Sequence, residues 1–228
     1  MTGIVKKFDA LEISEFFADV PIFVRESVLS SARLRNFTCR QLMFVTDDRI
    51  EATFLLVEGC AKVAQLTRTG EEVALRIAAP GELVGELGLA PGAKHSSTAL
   101  ALEDCQVLAW PTDAFEAALI RFPILQRNVN NILGRRISEI QSRISQTCTQ
   151  LAPARLAQQL MCLADQMGKR VDTHVEIRIA QEALAQMTAM RLWTLNRILS
   201  GWESQGLLRV HRQRIEIHDS PGLSGLCV

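Results

Sequence analysis

Gln181-Glu182-Ala183-Leu184-Ala185-Gln186-Met187-Thr188-Ala189-Met190-Arg191-Leu192-Trp193-Thr194-Leu195-Asn196-Arg197-Ile198-Leu199-Ser200-Gly201-Trp202-Glu203-Ser204-Gln205-Gly206 holds two helical periods in one run. Leu184 and Met187 stand three apart, and Leu195, Ile198, Leu199 and Trp202 recur at threes and fours, so each helix has one face to bury. The first helix begins at Gln181, the chain bends near Ala189, and the second helix runs from about Met190 to Ser204, where Gly206 stops it. Downstream, Leu207-Leu208-Arg209-Val210-His211-Arg212-Gln213-Arg214-Ile215-Glu216-Ile217 reads as two short strands around a basic turn. Upstream, Val175-Glu176-Ile177-Arg178-Ile179 alternates as a short strand. Two short helices, a tight turn and a basic hairpin define a winged helix-turn-helix, with one helix free to enter a major groove.

The outward side of the second helix carries Arg191, Trp193, Thr194, Asn196 and Arg197. Arg197 has the planar fork that pairs bidentately with guanine, Asn196 the amide that pairs with adenine, and Arg191 reaches phosphate near the helix start. Arg209, Arg212 and Arg214 in the wing are expected to anchor phosphate. Double-stranded DNA is therefore the expected partner, and residues 153–228 the DNA-binding domain, opened by Pro153 at a favoured helix N-terminal position.

Before this domain, residues 121–152 read as one long helix. Leu133, Ile137, Ile140, Ile144, Thr147 and Leu151 are separated by 4, 3, 4, 3 and 4 residues, with Arg135, Arg136, Glu139, Gln141 and Arg143 between them. So narrow an apolar stripe needs a partner helix. The other reading is a helix packed on its own domain.

Residues 1–120 change period again. After an amphipathic opening (Leu11, Ile13, Phe16, Phe17) come short apolar runs punctuated by glycine: Phe54-Leu55-Leu56-Val57, Gly59, Ala61-Lys62-Val63, Gly70, Val73-Ala74-Leu75-Arg76-Ile77, Gly81, Gly85 and Gly88. They read as strands of a barrel or roll, with a hairpin turn at Arg68-Thr69-Gly70-Glu71. The expected fold class is α+β: a β-roll domain, a long helix and a winged helix-turn-helix, which the resemblance described below makes a sensor, a dimerisation helix and a DNA-binding domain.

Bulk properties agree with a folded, non-membrane chain. Of 228 residues, 48% are hydrophobic, and Lys+Arg and Asp+Glu both number 25. Net charge thus names no nucleic-acid partner, and that inference rests on local geometry. Cys39, Cys60, Cys105, Cys148, Cys162 and Cys227 are scattered singly, without the spacing of a zinc or iron–sulfur site. No apolar run approaches the roughly 20 residues of a membrane helix, and no secretory signal opens the sequence. A cytoplasmic location is expected.

The order of elements, together with Leu56-Val57-Glu58-Gly59-Cys60-Ala61-Lys62-Val63, Pro80-Gly81-Glu82-Leu83-Val84-Gly85-Glu86-Leu87-Gly88-Leu89 and Thr194 to Leu208, resembles the cyclic-AMP receptor protein and FNR superfamily over nearly the whole chain. The segment Met190–Arg197 looks like the branch that regulates nitric-oxide and denitrification genes. The resemblance implies a homodimeric transcription regulator on a palindromic site, with RNA polymerase as a further partner. Half-sites one helical turn apart are implied, as is an effector that shifts a two-state equilibrium of the long helices.

The resemblance also places an effector pocket at Gly85, Glu86, Ser96 and Ser97, with Ile140 and Gln141 contributed by the long helix. Cyclic-nucleotide binders of the family follow Gly-Glu with an Arg-Ser pair, whose arginine neutralises the phosphate. Here that pair is Ser96-Ser97, so cyclic AMP is disfavoured. No cysteine precedes Cys39, which disfavours an iron–sulfur sensor. Haem, sensing nitric oxide or another gas, would lean on His95, the sole histidine of the sensor region. The alternative is a thiol-based redox regulator using Cys39, Cys60, Cys105 or Cys148, which needs an exposed thiol of depressed pKa. An enzyme is not expected: no nucleophile or metal cluster stands out, and Gly81-Glu82-Leu83-Val84-Gly85 lacks the Lys-Ser/Thr ending of a phosphate loop.

Overall fold

The computed structural model describes residues 10–67, 72–87 and 92–227, apart from the side chains of residues 146–149. The chain forms two compact units, Met1–Ser138 and Glu139–Val228.

The first unit opens with a 3-10 turn at Glu15–Phe17 and helix α1 (Ile22–Leu29). Eight strands follow: β1 (Arg33–Phe37), β2 (Leu42–Phe44), β3 (Ala52–Glu58), β4 (Ala61–Leu66), β5 (Glu72–Ala78), β6 (Leu83–Val84), β7 (Thr98–Ala101) and β8 (Cys105–Pro111). They form two antiparallel four-stranded sheets, ordered β1-β8-β3-β6 and β2-β7-β4-β5. β4 and β5 pair as an antiparallel hairpin, while the turn expected at 68–71 lies outside the described residues.

Side chains alternate across a strand, and β3 and β8 are covered on both faces. Phe54 and Leu56 of β3, with Val107 and Ala109 of β8, pack against Phe44, Val63 and Ala99 of the second sheet. Leu55, Val57, Leu108 and Trp110 face the other way, into a core with Phe16, Phe17 and Val24. That is why Phe54-Leu55-Leu56-Val57 is apolar throughout instead of alternating.

Helix α2 (Thr112–Arg121) precedes the long helix α3 (Pro123–Thr149). Its first part is seated on the first unit: Leu125, Val129 and Ile132 are buried in the helix-side core. Buried Asn128 donates from Nδ2 to the carbonyls of Phe16 at 3.0 Å and Ala18 at 2.8 Å. Leu133, expected in the partner-facing seam, is half-buried against this same core, so its partner is its own chain. Further along, Ile137, Ile140 and Ile144 are 57%, 55% and 61% exposed, and Leu151, just beyond the helix, is exposed too. Thr147 lies outside the described side chains.

The second unit contains α4 (Ala152–Met167), β9 (Lys169–Val171), β10 (His174–Ile177), α5 (Gln181–Met187), α6 (Leu192–Ser204), β11 (Leu208–Val210), β12 (Ile215–Ile217) and α7 (Ser220–Ser224). Its antiparallel sheet has the order β11-β12-β10-β9. Pro153 sits in the first turn of α4 and Gly168 caps its end.

Candidate functional sites

In the second unit, α5 and α6 are joined through Thr188, Ala189, Met190 and Arg191. Ala189 adopts φ +52, a left-handed conformation that costs a non-glycine residue about 1 kcal/mol or more. The turn is held around it: Thr188, buried, donates from Oγ1 to Leu184 O at 2.8 Å, and the Met190 amide donates to Ala185 O at 2.9 Å. Leu184, Met187, Leu195, Leu199 and Trp202 are all buried, which fixes the roll of α6 about its axis.

That roll leaves Arg191, Trp193, Asn196 and Arg197 exposed, with Thr194 half-buried beside them. Residues 193, 196 and 197 share one helix face, as spacings of three and four require. Trp193 is 60% exposed, and the Arg197 guanidinium carbon lies 5.4 Å from its ring centroid, in cation–π range.

In the wing, Arg209 and Arg212 are exposed. Arg214 instead reaches back to two carboxylates, Glu216 at 3.1 Å and Glu176 at 3.4 Å. Burial of Glu216 would raise its pKa, but His211, Arg214 and His174 outweigh burial and hold the carboxyl below its ordinary range. Any stabilisation from this depression is present above the unfolded-state pKa and is lost as pH falls through the folded one.

In the first unit, the turn after β6 is set by Gly85, whose φ of +109 few other residues adopt. It presents Glu86 to the segment before β7. Glu86 Oε1 accepts from the Ser96 amide at 2.8 Å and from its hydroxyl at 2.9 Å; Oε2 lies 2.5 Å from His95 Nδ1. Gly85, Glu86, Leu87, Ser96 and Ser97 form one side of a cavity of about 400 Å³, small-molecule scale. The other walls are Val63 and Arg76 of the second sheet, with Leu133 and Arg136 of α3.

Ile140 and Gln141 are not among these walls. Both are exposed, and the helix contributes residues about one turn earlier. Sequence reasoning missed Arg76 and Arg136. The available signals were an arginine on the inward phase of β5, between buried Ala74 and Ala78, and its counterpart three residues after half-buried Leu133.

His95 does not fit a haem ligand. It is 3% exposed, its ring stacks on Phe44 with centroids 3.8 Å apart, its Nδ1 faces Glu86, and it does not line the cavity. Among the described residues no three metal-ligating side chains converge. The thiol alternative also loses candidates. Cys60 and Cys105 are buried, and burial pushes the Cys105 thiol up to about 11, the opposite of a reactive thiolate. Cys39 is exposed, and Cys148 lies outside the described side chains.

The two units define a class: a cyclic-nucleotide-binding-type sensor followed by a helix-turn-helix module. Comparison with known families agrees, since residues 34–122 match the cyclic nucleotide-binding domain and residues 154–226 the Crp-like helix-turn-helix domain. The chain belongs to the Crp/Fnr family of transcription regulators. It is 26% identical to the cyclic AMP receptor protein of Thermus thermophilus, over 84% of this chain and 87% of that one. It is 22% identical to the CRP-like cAMP-activated global transcriptional regulator of Mycobacterium tuberculosis, over 83% and 85%. The solved structure of FixK2 from Bradyrhizobium japonicum shares the fold with a TM-score of 0.75 at 18% identity, over 86% of this chain and 98% of that one. Regulators of this family bind DNA as dimers and are not enzymes. No helix among the described residues is long and apolar enough to cross a membrane.

Proposed function

We propose that the chain regulates transcription as a homodimer zipped along the second part of α3. In this reading each α6 reads one half of a palindromic site, and a small effector in the cavity beside Glu86 controls binding. The observation that carries it is the outward face of α6, where an arginine, an asparagine and an exposed tryptophan stand together while Leu195, Leu199 and Trp202 are buried and Ile198, expected on the same face, is half-buried. A tryptophan so exposed on a well-packed helix is explained by a partner. Arg197 reads guanine, Asn196 adenine, and Arg191 and Arg212 hold phosphate. Arg214 joins them only by leaving its carboxylate pair.

Two relatives carry cyclic AMP in their names. For this chain the loop cation of cyclic-nucleotide binders is replaced by Ser96, so cyclic AMP is not the favoured effector. Gas sensing through haem at His95 forms no part of the proposal, for the geometric reasons above. The test is selection of binding sites from random duplex DNA, followed by fluorescence anisotropy on the selected site. Arg197→Ala is expected to weaken binding by roughly 1–3 kcal/mol and to relax one base position per half-site. A variant with unchanged affinity and unchanged site preference overturns the assignment.

A further inference from the structure

We propose that the wing sheet carries a proton-controlled latch: three of the protein's four histidines gather at Glu216, and their protonation releases Arg214 from two carboxylates to DNA phosphate. This rests on reading the wing as a phosphate contact. Glu216 of β12 and Glu176 of β10 stand directly opposite one another, and like charges so placed repel. Both side chains are 12% exposed. Arg214 joins them, with Nη1 3.4 Å from Glu176 Oε2 and Nη2 3.1 Å from Glu216 Oε1. The histidines meet the same acid: His211 Nε2 lies 2.9 Å from Oε1 and His218 Nε2 3.7 Å from Oε2. The ring of His174 follows, its centroid 5.1 Å from that of His218.

Other charged groups on this face are placed differently. From β11, Arg209 stands opposite Glu216 but is exposed, as is Arg212 in the turn that follows. Arg178, after β10, pairs with Glu176 at 3.1 Å, and Lys169 of β9 stands opposite that same glutamate. From α6, Glu203 accepts from the Val210 amide at 3.0 Å and adds negative charge beside β11. Asp219, beyond β12, accepts from the Gly222 amide at 2.8 Å. The opposite face of the sheet, against α4, is apolar, with Ile177, Ile215 and Ile217 buried. Among the described residues, Arg214 is the fixed cation at ion-pair distance from Glu216.

With neutral imidazoles, departure of Arg214 would leave a nearly buried carboxylate without that cation, a costly state. Glu216 stays ionised through the range in which an imidazole takes a proton, about pH 6.5. Burial favours its neutral acid, but His211, Arg214 and His174 outweigh burial and hold its pKa down. A solvent proton taken up by His211 or His218 supplies the replacement cation in place. Arg214 is then free to turn outward, and the imidazolium adds its own positive charge to the wing. DNA binding is therefore coupled to proton uptake, and by linkage affinity rises as pH falls.

The full-length protein is titrated by fluorescence anisotropy with the duplex selected above, at pH 8, 7 and 6, each over a salt series. Affinity is expected to be about tenfold higher at pH 6 than at pH 8, and the slope of log affinity against log salt steeper by about one, as one added phosphate contact requires. Glu216→Gln is expected to bind at pH 8 about as tightly as the wild type at pH 6, a gain that a merely structural role would not give. His211→Gln combined with His218→Gln should flatten the pH profile, and Arg214→Gln should keep the shallower salt slope at every pH. Thermal unfolding establishes that each variant is folded. Should Glu216→Gln fail to fold, Glu176→Gln, which removes the other acid holding Arg214, carries the same expected gain at pH 8. A wild-type salt slope equal at pH 8 and pH 6, or a pH profile unchanged in the double histidine variant, overturns the inference. DNA binding that ignores pH defeats this inference alone, whereas no DNA binding at any pH defeats the regulator reading with it.

Discussion

The two parts of α3 carry the same apolar spacing and meet opposite fates. Leu125, Val129 and Ile132 are buried in the core of the first unit, with Asn128 bonded to two backbone carbonyls among them. Ile137, Ile140 and Ile144, at the same spacing of three and four further along the helix, are more than half exposed. Periodicity announces that a face will be covered; it does not say by what. The first part is covered by its own chain. On the reading proposed above, the second is covered by the helix of a second copy, in keeping with a family whose members bind DNA as dimers.

Exchanging isoleucine for glutamate at both Ile137 and Ile144 should produce the largest effect. Four isoleucines are removed from a dimer seam, each worth about 1.5–3 kcal/mol of burial, so the protein should sediment as a folded monomer with unchanged circular dichroism. A dimer that persists would move the seam elsewhere. Next in size is Leu125→Ala, expected to cost about 2–5 kcal/mol of unfolding free energy through the cavity it leaves. Because Leu125 faces its own chain, the loss should appear equally at low and high protein concentration, whereas a loss that grew on dilution would erase the distinction between the two parts. Asn128→Ala is the smallest, about 1–3 kcal/mol, the cost of stranding the Phe16 and Ala18 carbonyls, read from the shift in urea midpoint. An unchanged midpoint would mean those carbonyls find other donors.

The same contrast explains what could be read from sequence. The DNA-facing unit was legible because its signals are local: buried faces at threes and fours, Gly206 at a helix end, and arginines on the face left over. Its short elements β9 and α7 were missed, since Lys169-Arg170-Val171 and Ser220–Ser224 are too brief to show a period. The cavity was only half legible. Gly85, Glu86, Ser96 and Ser97 sit in a motif and do line it, but its cations lie at positions 76 and 136, brought there by strand pairing and helix packing that no local pattern displays. The stacking of His95 on Phe44 depends on a residue 51 positions earlier in the chain, which no local pattern displays.

The protein has no tyrosine and three tryptophans, and their surroundings differ widely. Trp110 is 0% exposed, Trp202 6% and Trp193 60%. Emission excited in the indole band therefore has a water-facing component belonging to Trp193 alone, at the red edge of the spectrum, on the face of α6 assigned to DNA. The chain carries its own optical reporter. Quenching or a blue shift of that edge on adding duplex would report contact at the recognition surface without any label, and the two buried indoles would serve as an internal reference for the intact fold.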